Sequence, residues 1–209
     1  RNLLANGEKV LMIGLPCHIA GVKKFLNGKY DYNFYTVDLI CHGSPSRMLL
    51  KAFFSEKSVD WDLLKRVDFR NENKFGVIAD NIKITPEKIR DEYTIGFLKG
   101  LFYTENCYTC KYAKIERVSD LTLGDSWGTE LLEEEKNGIS LLLCQNDKGE
   151  ELIKKSDLKL FNVDLDRAIA SNHQLSSPSC KIPERKIFFD VFLKRKSPRR
   201  KQCLRRGLT

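Results

Sequence analysis

Cys107 and Cys110 stand in the stretch C-Y-T-C. A C-x2-C pair puts two sulfurs on one turn, at a bite that suits one metal ion or one cluster. On its own the pair allows half a zinc site, a redox dithiol, part of an iron–sulfur site, or coincidence. A site held by cysteine alone needs two further thiolates. The chain offers two in unusual surroundings, Cys17 in G-L-P-C and Cys41 in C-H-G. Turn formers flank both, and such turns leave backbone N–H groups able to point at sulfur. The other cysteines read differently: Cys144, in LLLCQ, as core, and Cys180 and Cys203 as loop and tail residues. An odd total of seven, without a secretory leader, argues against a disulfide scaffold. The overall spacing C-x23-C-x65-C-x2-C fits no standard zinc finger.

The elements that position these thiols follow from hydrophobic periodicity. KVLMIGLP (9–16) reads as a strand, and CHIAGVKKFLN (17–27) as a helix with Ile19, Val22, Phe25 and Leu26 at helical spacing. NFYTVDLIC (33–41) is a second strand. Ser44 and Pro45 then predict an N-cap and first helical residue, with Met48, Leu49, Ala52 and Phe53 on one face of the helix. This order implies a parallel strand pair with a right-handed crossover. Cys17 and Cys41 then lie at the C-terminal ends of adjacent strands, the edge where open α/β sheets bind ligands.

Downstream, LLKRVDFR (63–70) and ADNIKIT (79–85) predict two strands joined by the polar loop NENKFGVI. YTIGFLKGLF (93–102) predicts a helix, LTLGDSWG (121–128) a short strand and turn, and ISLLLCQN (139–146) a buried strand. A helix in KGEELIKKS, a strand in LKLFNV and two closing helices in LDRAIASNHQL and PERKIFFDVFLKR follow. The expected fold class is α/β, with a mixed sheet that begins in a parallel βαβ unit. Helices pack on that sheet, and C-terminal helices lead into a basic tail.

Charge is localised. The formal net charge of +8 is carried by the eight Lys and Arg of residues 194–206 (KRKSPRRKQCLRR), so residues 1–193 are neutral overall. The expected organisation is one domain over 1–193 and a basic tail over 194–209. The neutral body makes nucleic acid an unexpected partner, although the tail alone could meet a polyanion. No apolar run approaches the ~20 residues of a membrane span. Starting on Arg, the chain reads as part of something longer. The cysteine usage predicts a reducing, cytoplasmic setting.

Five motifs in order carry a family resemblance: G-L-P-C-H-I-A-G-V-K-K-F-L, D-L-I-C-H-G-S-P-S, F-R-N-E-N-K-F-G, C-Y-T-C-K-Y-A and S-D-L-T-L-G-D-S-W-G. Together, over roughly residues 9–150, the chain resembles the coenzyme F420 hydrogenase/dehydrogenase beta-subunit family, particularly its C-terminal region. The resemblance implies an iron–sulfur flavoprotein oxidoreductase that relays electrons between a [4Fe–4S] cluster and a flavin or hydride-carrying substrate. It implies that Cys17, Cys41, Cys107 and Cys110 are the cluster ligands and that FAD is the flavin, with coenzyme F420 as one possible hydride carrier. It further implies a small-molecule substrate, and a redox partner protein or a ferredoxin-like domain outside this chain. The chain departs from the family pattern at Leu15, His18, Glu105 and Asn106, beside the ligand motifs.

Around this core the resemblance suggests cofactor contacts at Gly14, Pro16 and Gly43, and at Gly124, Asp125, Trp127 and Gly128 of G-D-S-W-G, which would line an isoalloxazine ring. Arg70 and Lys74 would supply cations to flavin phosphates or to the reduced ring. His42, beside a ligand, is the candidate proton donor. The chain has no G-x-G-x-x-G or P-loop. The competing reading is a non-enzymatic, zinc-stapled α/β interaction module with a basic tail.

Overall fold

A computed structural model describes residues 1–71, 74–80, 82–84 and 90–194, and the side chains of residues 71, 74 and 83 are outside that description. The basic tail is outside it from residue 195 on. The chain opens with α1 (Asn2–Ala5), β1 (Val10–Gly14), α2 (Pro16–Leu26), β2 (Phe34–Leu39) and α3 (Arg47–Glu56). Next come β3 (Val67–Asn71), β4 (Lys74–Ala79), β5 (Ile82–Lys83) and α4 (Glu92–Leu98). β6 (Leu121–Asp125), α5 (Leu132–Lys136), β7 (Ser140–Cys144), α6 (Asp147–Lys154), α7 (Leu165–Ser171) and α8 (Glu184–Lys194) follow among the described residues. The architecture is α/β with mixed strand directions. The chain divides into two compact units, one of residues 1–42 and 109–178, the other of residues 43–108 and 179–209.

The first unit is built on a four-stranded sheet in the order β1-β2-β6-β7. β1, β2 and β6 are parallel, with Gly14 level with Asp38 and Leu39 with Leu123. β7 runs antiparallel to β6. The inner strand β2 is buried from Phe34 to Asp38, whereas the edge strand β1 alternates, as expected for an inner and an outer position. Pro16 starts α2, where its missing N–H costs nothing. Asn27 ends it in the left-handed conformation, φ +52°. Leu4, Leu26 and Phe34 form one small core, and Leu141, Ala168 and Leu175 another. A buried carboxylate ties the strands: Asp120 accepts from Thr36 N and Oγ1 at 2.7 and 2.8 Å and from Asn146 Nδ2 at 3.0 Å.

The second unit has a three-stranded antiparallel sheet, β3-β4-β5, with α3, α4 and α8. Its core joins Leu49, Leu50, Phe53 and Phe54 of α3 to Val77, Ala79, Tyr93 and Phe102. Asp91, nearly fully buried, caps α4 by accepting from Thr94 N at 2.7 Å and also accepts from Val77 N of β4 at 2.9 Å. One carboxylate thus fixes both a helix start and a strand.

Several expectations change. The N-cap of α3 is Ser46, not Ser44, and Arg47 follows it. Pro45 is used instead in an isolated bridge with Tyr103. The span predicted as a polar loop supplies most of β4, because Phe75 and Val77, with Ala79 of the predicted strand after it, give it an apolar side. Its residues 72 and 73 lie outside the described ones, as do 81 and 85 of the following predicted strand. The helix predicted over 93–102 ends at Leu98, with Gly100 at φ +65°. LKLFNV forms no strand, and its Leu158 and Leu160 are exposed. Cys144 is exposed rather than core, because β7 is the sheet edge.

Candidate functional site

In the first unit, parallel pairing carries the singled-out segments to a single edge. Gly14 ends β1, and Pro16 and Cys17 open α2. Ile40 N still donates to Leu123 O at 2.8 Å, so β2 stays tied to β6 up to the residue before Cys41. Asp125 ends β6, and the turn Ser126–Gly128 follows. Cys17 is exposed within the first turn of α2, where the helix dipole favours negative charge. Trp127 is 41% exposed and so does not plug the core. The glycines have packing reasons: a Cβ at Gly124 would lie 2.5 Å from Ile40 Cδ1, and one at Gly128 would lie 2.1 Å from Ser171 Oγ.

Behind this edge lies a polar group that periodicity does not reveal. Gln174, 2% exposed, donates through Nε2 to His42 Nδ1 at 2.6 Å. That bond puts the ring proton of neutral His42 on Nε2. Burial holds His42 below the usual imidazole range; His173, edge-on at 5.8 Å, adds to this and Asp125 opposes it. The Arg117 guanidinium donates from Nη2 to the backbone carbonyl of Gln174 at 3.2 Å, while its Nε is buried without a partner. Burial lowers the Arg117 pKa, opposed in turn by Asp38, Cys110 and Cys41. Asp38 is fully buried and accepts from Ser119 Oγ at 2.9 Å; burial pushes its pKa up. His18, in the first turn of α2, and Asp120, in the sheet network, have structural places.

In the second unit, Cys107 sits in a short 3-10 turn, Glu105–Thr109. Ser44 N donates to its sulfur at 3.3 Å, and Thr104 Oγ1 lies 3.2 Å from it. The turn is pinned from several sides. Tyr108 donates to Gly100 O at 2.6 Å, and Glu105 pairs with Lys181 at 2.8 Å and Arg185 at 2.9 Å. Arg185, 9% exposed, also donates to Leu101 O at 3.2 Å and lies over the rings of Tyr108 and Phe189. The departure at Glu105 therefore has a local role as the anionic partner of this anchor. Gly43 has φ +146°, and a Cβ there would lie 2.4–2.7 Å from Tyr103 ring atoms. The space it leaves is taken by that ring. Arg70 lies on β3 with its guanidinium 4.5 Å from the Phe75 ring centroid. Lys74 opens β4, and its side chain is outside the described atoms.

Three of the four candidate ligands, Cys17, Cys41 and Cys110, belong to the first unit and Cys107 to the second. None of the six described cysteines is in a disulfide. Among the described residues, no three His, Cys, Asp or Glu side chains gather closely enough to hold a metal ion. The donor set is cysteine sulfur, the type that holds zinc or an iron–sulfur cluster, and the sulfur of Cys107 receives a backbone N–H from Ser44. Among the described residues no helix is long and apolar enough to cross a membrane.

The chain belongs to a family of oxidoreductases. Residues 7–163 match the family model for the C terminus of the coenzyme F420 hydrogenase/dehydrogenase beta subunit, in agreement with the resemblance carried by the five motifs. The chain is similar to the coenzyme F420-dependent sulfite reductase of Methanocaldococcus jannaschii, 25% identical over 190 residues, which are 81% of this chain and 30% of the relative. It also resembles a chain of the xenon-derivatised F420-reducing [NiFe] hydrogenase complex of Methanosarcina barkeri. There the identity is 15% and the TM-score 0.48, over 88% of this chain and 61% of that one. The chain spans less than two thirds of either relative.

Proposed function

We propose that this chain acts in an F420-linked oxidoreductase in which the thiolates of Cys17, Cys41, Cys107 and Cys110 hold a [4Fe–4S] cluster near a flavin, FAD. The observation that carries the reading is the shared edge of the parallel strands. β1 leads directly into Cys17 and β2 into Cys41, at the side where open α/β sheets bind ligands. When bound, a cluster and a flavin supply one-electron relay and its conversion to hydride chemistry.

The chain's own residues take the remaining roles. The Ser44 N–H and the Thr104 hydroxyl stabilise charge on the Cys107 sulfur. His42, fixed by Gln174, offers its Nε2–H as a proton donor. Trp127, 41% exposed just after β6, supplies an aromatic ring of the kind that stacks on a flavin. Gly14 and Pro16 set the turn before Cys17, Gly43, Gly124, Asp125 and Gly128 shape the walls, and Arg70 and Lys74 bring positive charge. The family and the reductase relative are both named for F420, which makes that deazaflavin the favoured hydride carrier. A redox partner protein or ferredoxin-like domain completes the relay from outside these residues.

The test is anaerobic purification with iron, sulfide and zinc analysis. About four irons per chain are expected, and Cys107→Ser or Cys110→Ser should abolish cluster content. Either variant retaining full iron and sulfide sinks the ligand assignment. A colourless chain with one zinc supports the stapled interaction module instead.

A further inference from the structure

We infer that the outer face of α8 is a self-association surface: Glu184, Ile187, Val191 and Lys194 form a stripe that pairs antiparallel with the same stripe of a second copy of this chain. This surface lies wholly in the second unit and is independent of the redox reading above.

α8 is a helix with two apolar sides. Phe188 and Phe192 pack against the core of the second unit. Ile187 and Val191 do not go inward with them: they are 64% and 50% exposed. A helix at a protein surface normally keeps its outer face polar. Positions 184, 187, 191 and 194 follow one another at helical spacing, which keeps them on one face. The two apolar residues are therefore flanked by Glu184 at one end and Lys194 at the other, both exposed. Neither forms an ion pair among the described residues. Beside the stripe runs a groove of about 340 Å³, lined by Ile187 and Val191 together with Leu49, Ala52 and Phe53 of α3. The carboxylates of Glu56 and Glu92 also line it, the second paired with Lys57 at 2.9 Å. An occupant that brings apolar side chains and positive charge suits this lining, and α8 itself carries both.

A twofold contact needs a patch that complements itself. Antiparallel pairing of two α8 stripes sets Ile187 and Val191 against their counterparts. It also places Glu184 of each copy opposite Lys194 of the other, so both ends attract. Parallel pairing would set like charge against like. Residues 195–209 hold seven Lys and Arg and no Asp or Glu, so the sequence beyond Lys194 keeps that end positive. α8 has 11 residues and is roughly 16 Å long. That is too short to bury by itself the ~800 Å² per partner of a standard interface. The groove beside α3 therefore takes part, and the association belongs to the weak, reversible class.

Sedimentation velocity of the full chain over a concentration series tests this. Wild type should show a reversible monomer–dimer equilibrium, and Ile187→Asp should stay monomeric across the series. Glu184→Lys and Lys194→Glu each turn two attractions into two repulsions, and each should weaken association about tenfold. The double variant restores both attractions and should return to within about threefold of wild type. Lys186→Glu makes the same charge change on the same helix but off the stripe, and should leave association unchanged. Trp61 fluorescence reports that the second unit is folded in each variant; should Ile187→Asp alter it, Val191→Ser is measured in its place. A chain that is monomeric at every concentration overturns the inference, and one that dimerises only after residues 195–209 are removed assigns the face to the tail instead. A dimer indifferent to Ile187→Asp, or a double variant no tighter than the single ones, also overturns it.

Discussion

Gly43→Ala separates two uses of the space beside Cys41. If the missing side chain makes room for a bound group, the variant should fold normally and lose that group. The structure instead fills the space with Tyr103, so the metal-free chain itself should be destabilised. The new Cβ would lie 2.4–2.7 Å from three Tyr103 ring carbons, where ordinary contacts are about 3.5–4.0 Å. Tyr103 is 2% exposed, and its hydroxyl donates to Phe97 O at 2.5 Å, so the ring cannot swing away without breaking that bond. Overpacking of this kind costs about 1–3 kcal/mol, and a non-glycine residue at φ +146° adds roughly 1–3 kcal/mol. The expected loss is therefore about 2–6 kcal/mol, a downward shift of roughly 0.7–3 M in the urea midpoint for a slope of ~2–3 kcal/mol/M. Trp61 lies in the same unit, packed 5.6 Å from Phe54, and its fluorescence reports that unit alone once Trp127 is replaced by Phe. In Tyr103→Ala the clash is absent, so adding Gly43→Ala should cost at least ~1 kcal/mol less there than in wild type. A midpoint shift under ~0.3 M, or full additivity with Tyr103→Ala, would refute the packing argument.

Other outcomes follow from the same structure. Arg185→Met should cost about 2–4 kcal/mol, because it removes a charge-assisted bond to Leu101 O and the cation over Tyr108 and Phe189. Glu105→Gln should cost clearly less than Arg185→Met, since Glu105 is largely exposed; equal losses in chemical denaturation would contradict this ranking. Asp91→Ala, which strips the cap of α4 and the partner of Val77 N, should cost about 2–4 kcal/mol, and hydrogen exchange at Val77 should accelerate. Burial, with a smaller contribution from Asp91, pushes the Tyr93 phenol up to about 12. The folded state therefore favours the neutral phenol. That stabilisation is whole below pH ~10 and is lost as pH rises through about 12, on the order of 3 kcal/mol in all. Tyr93→Phe should flatten this alkaline loss, and an unchanged profile would rule it out.

The segments that were legible in the sequence are those whose pattern is settled locally. The first strand, helix and strand form where their patterns place them, although Phe25, spaced with Ile19 and Leu26, is 70% exposed; the β2 run Phe34–Asp38 is buried throughout, as an inner strand must be. Errors arose where a distant residue decides. Pro45 looks like the first residue of a helix, but its bridge partner Tyr103 lies 58 positions on, and the cap moves to Ser46. LKLFNV alternates like a strand but has no strand to pair with, so the pattern stays irregular. Cys144 reads as core only if β7 has neighbours on both sides, and it has one. The four candidate thiols stand out by type and by their turns. Arg117, Gln174 and Arg185 do not, since their side chains hydrogen-bond to groups 57 to 132 positions away in the chain.

The order in which the polypeptide visits its two units has a consequence for how it can be cut. β2 and β6 pair directly, yet residues 43–108, most of the second unit, lie between them in the chain, and α8 returns to that unit after β7 and α7 are complete. Neither unit is a continuous segment. A clone ending at residue 178 would leave Phe53, Tyr93 and Phe102 without Phe188 and Phe192, which pack against their core. A clone starting at residue 43 would lose β1 and β2. During synthesis β2 must wait for β6 across all of residues 43–108, and the second core cannot close until α8 has left the ribosome. Both closures span long loops, at entropic cost. Expression of this region should therefore succeed as a whole or not at all, and limited proteolysis should yield nicked, still-associated chains rather than a separable fragment.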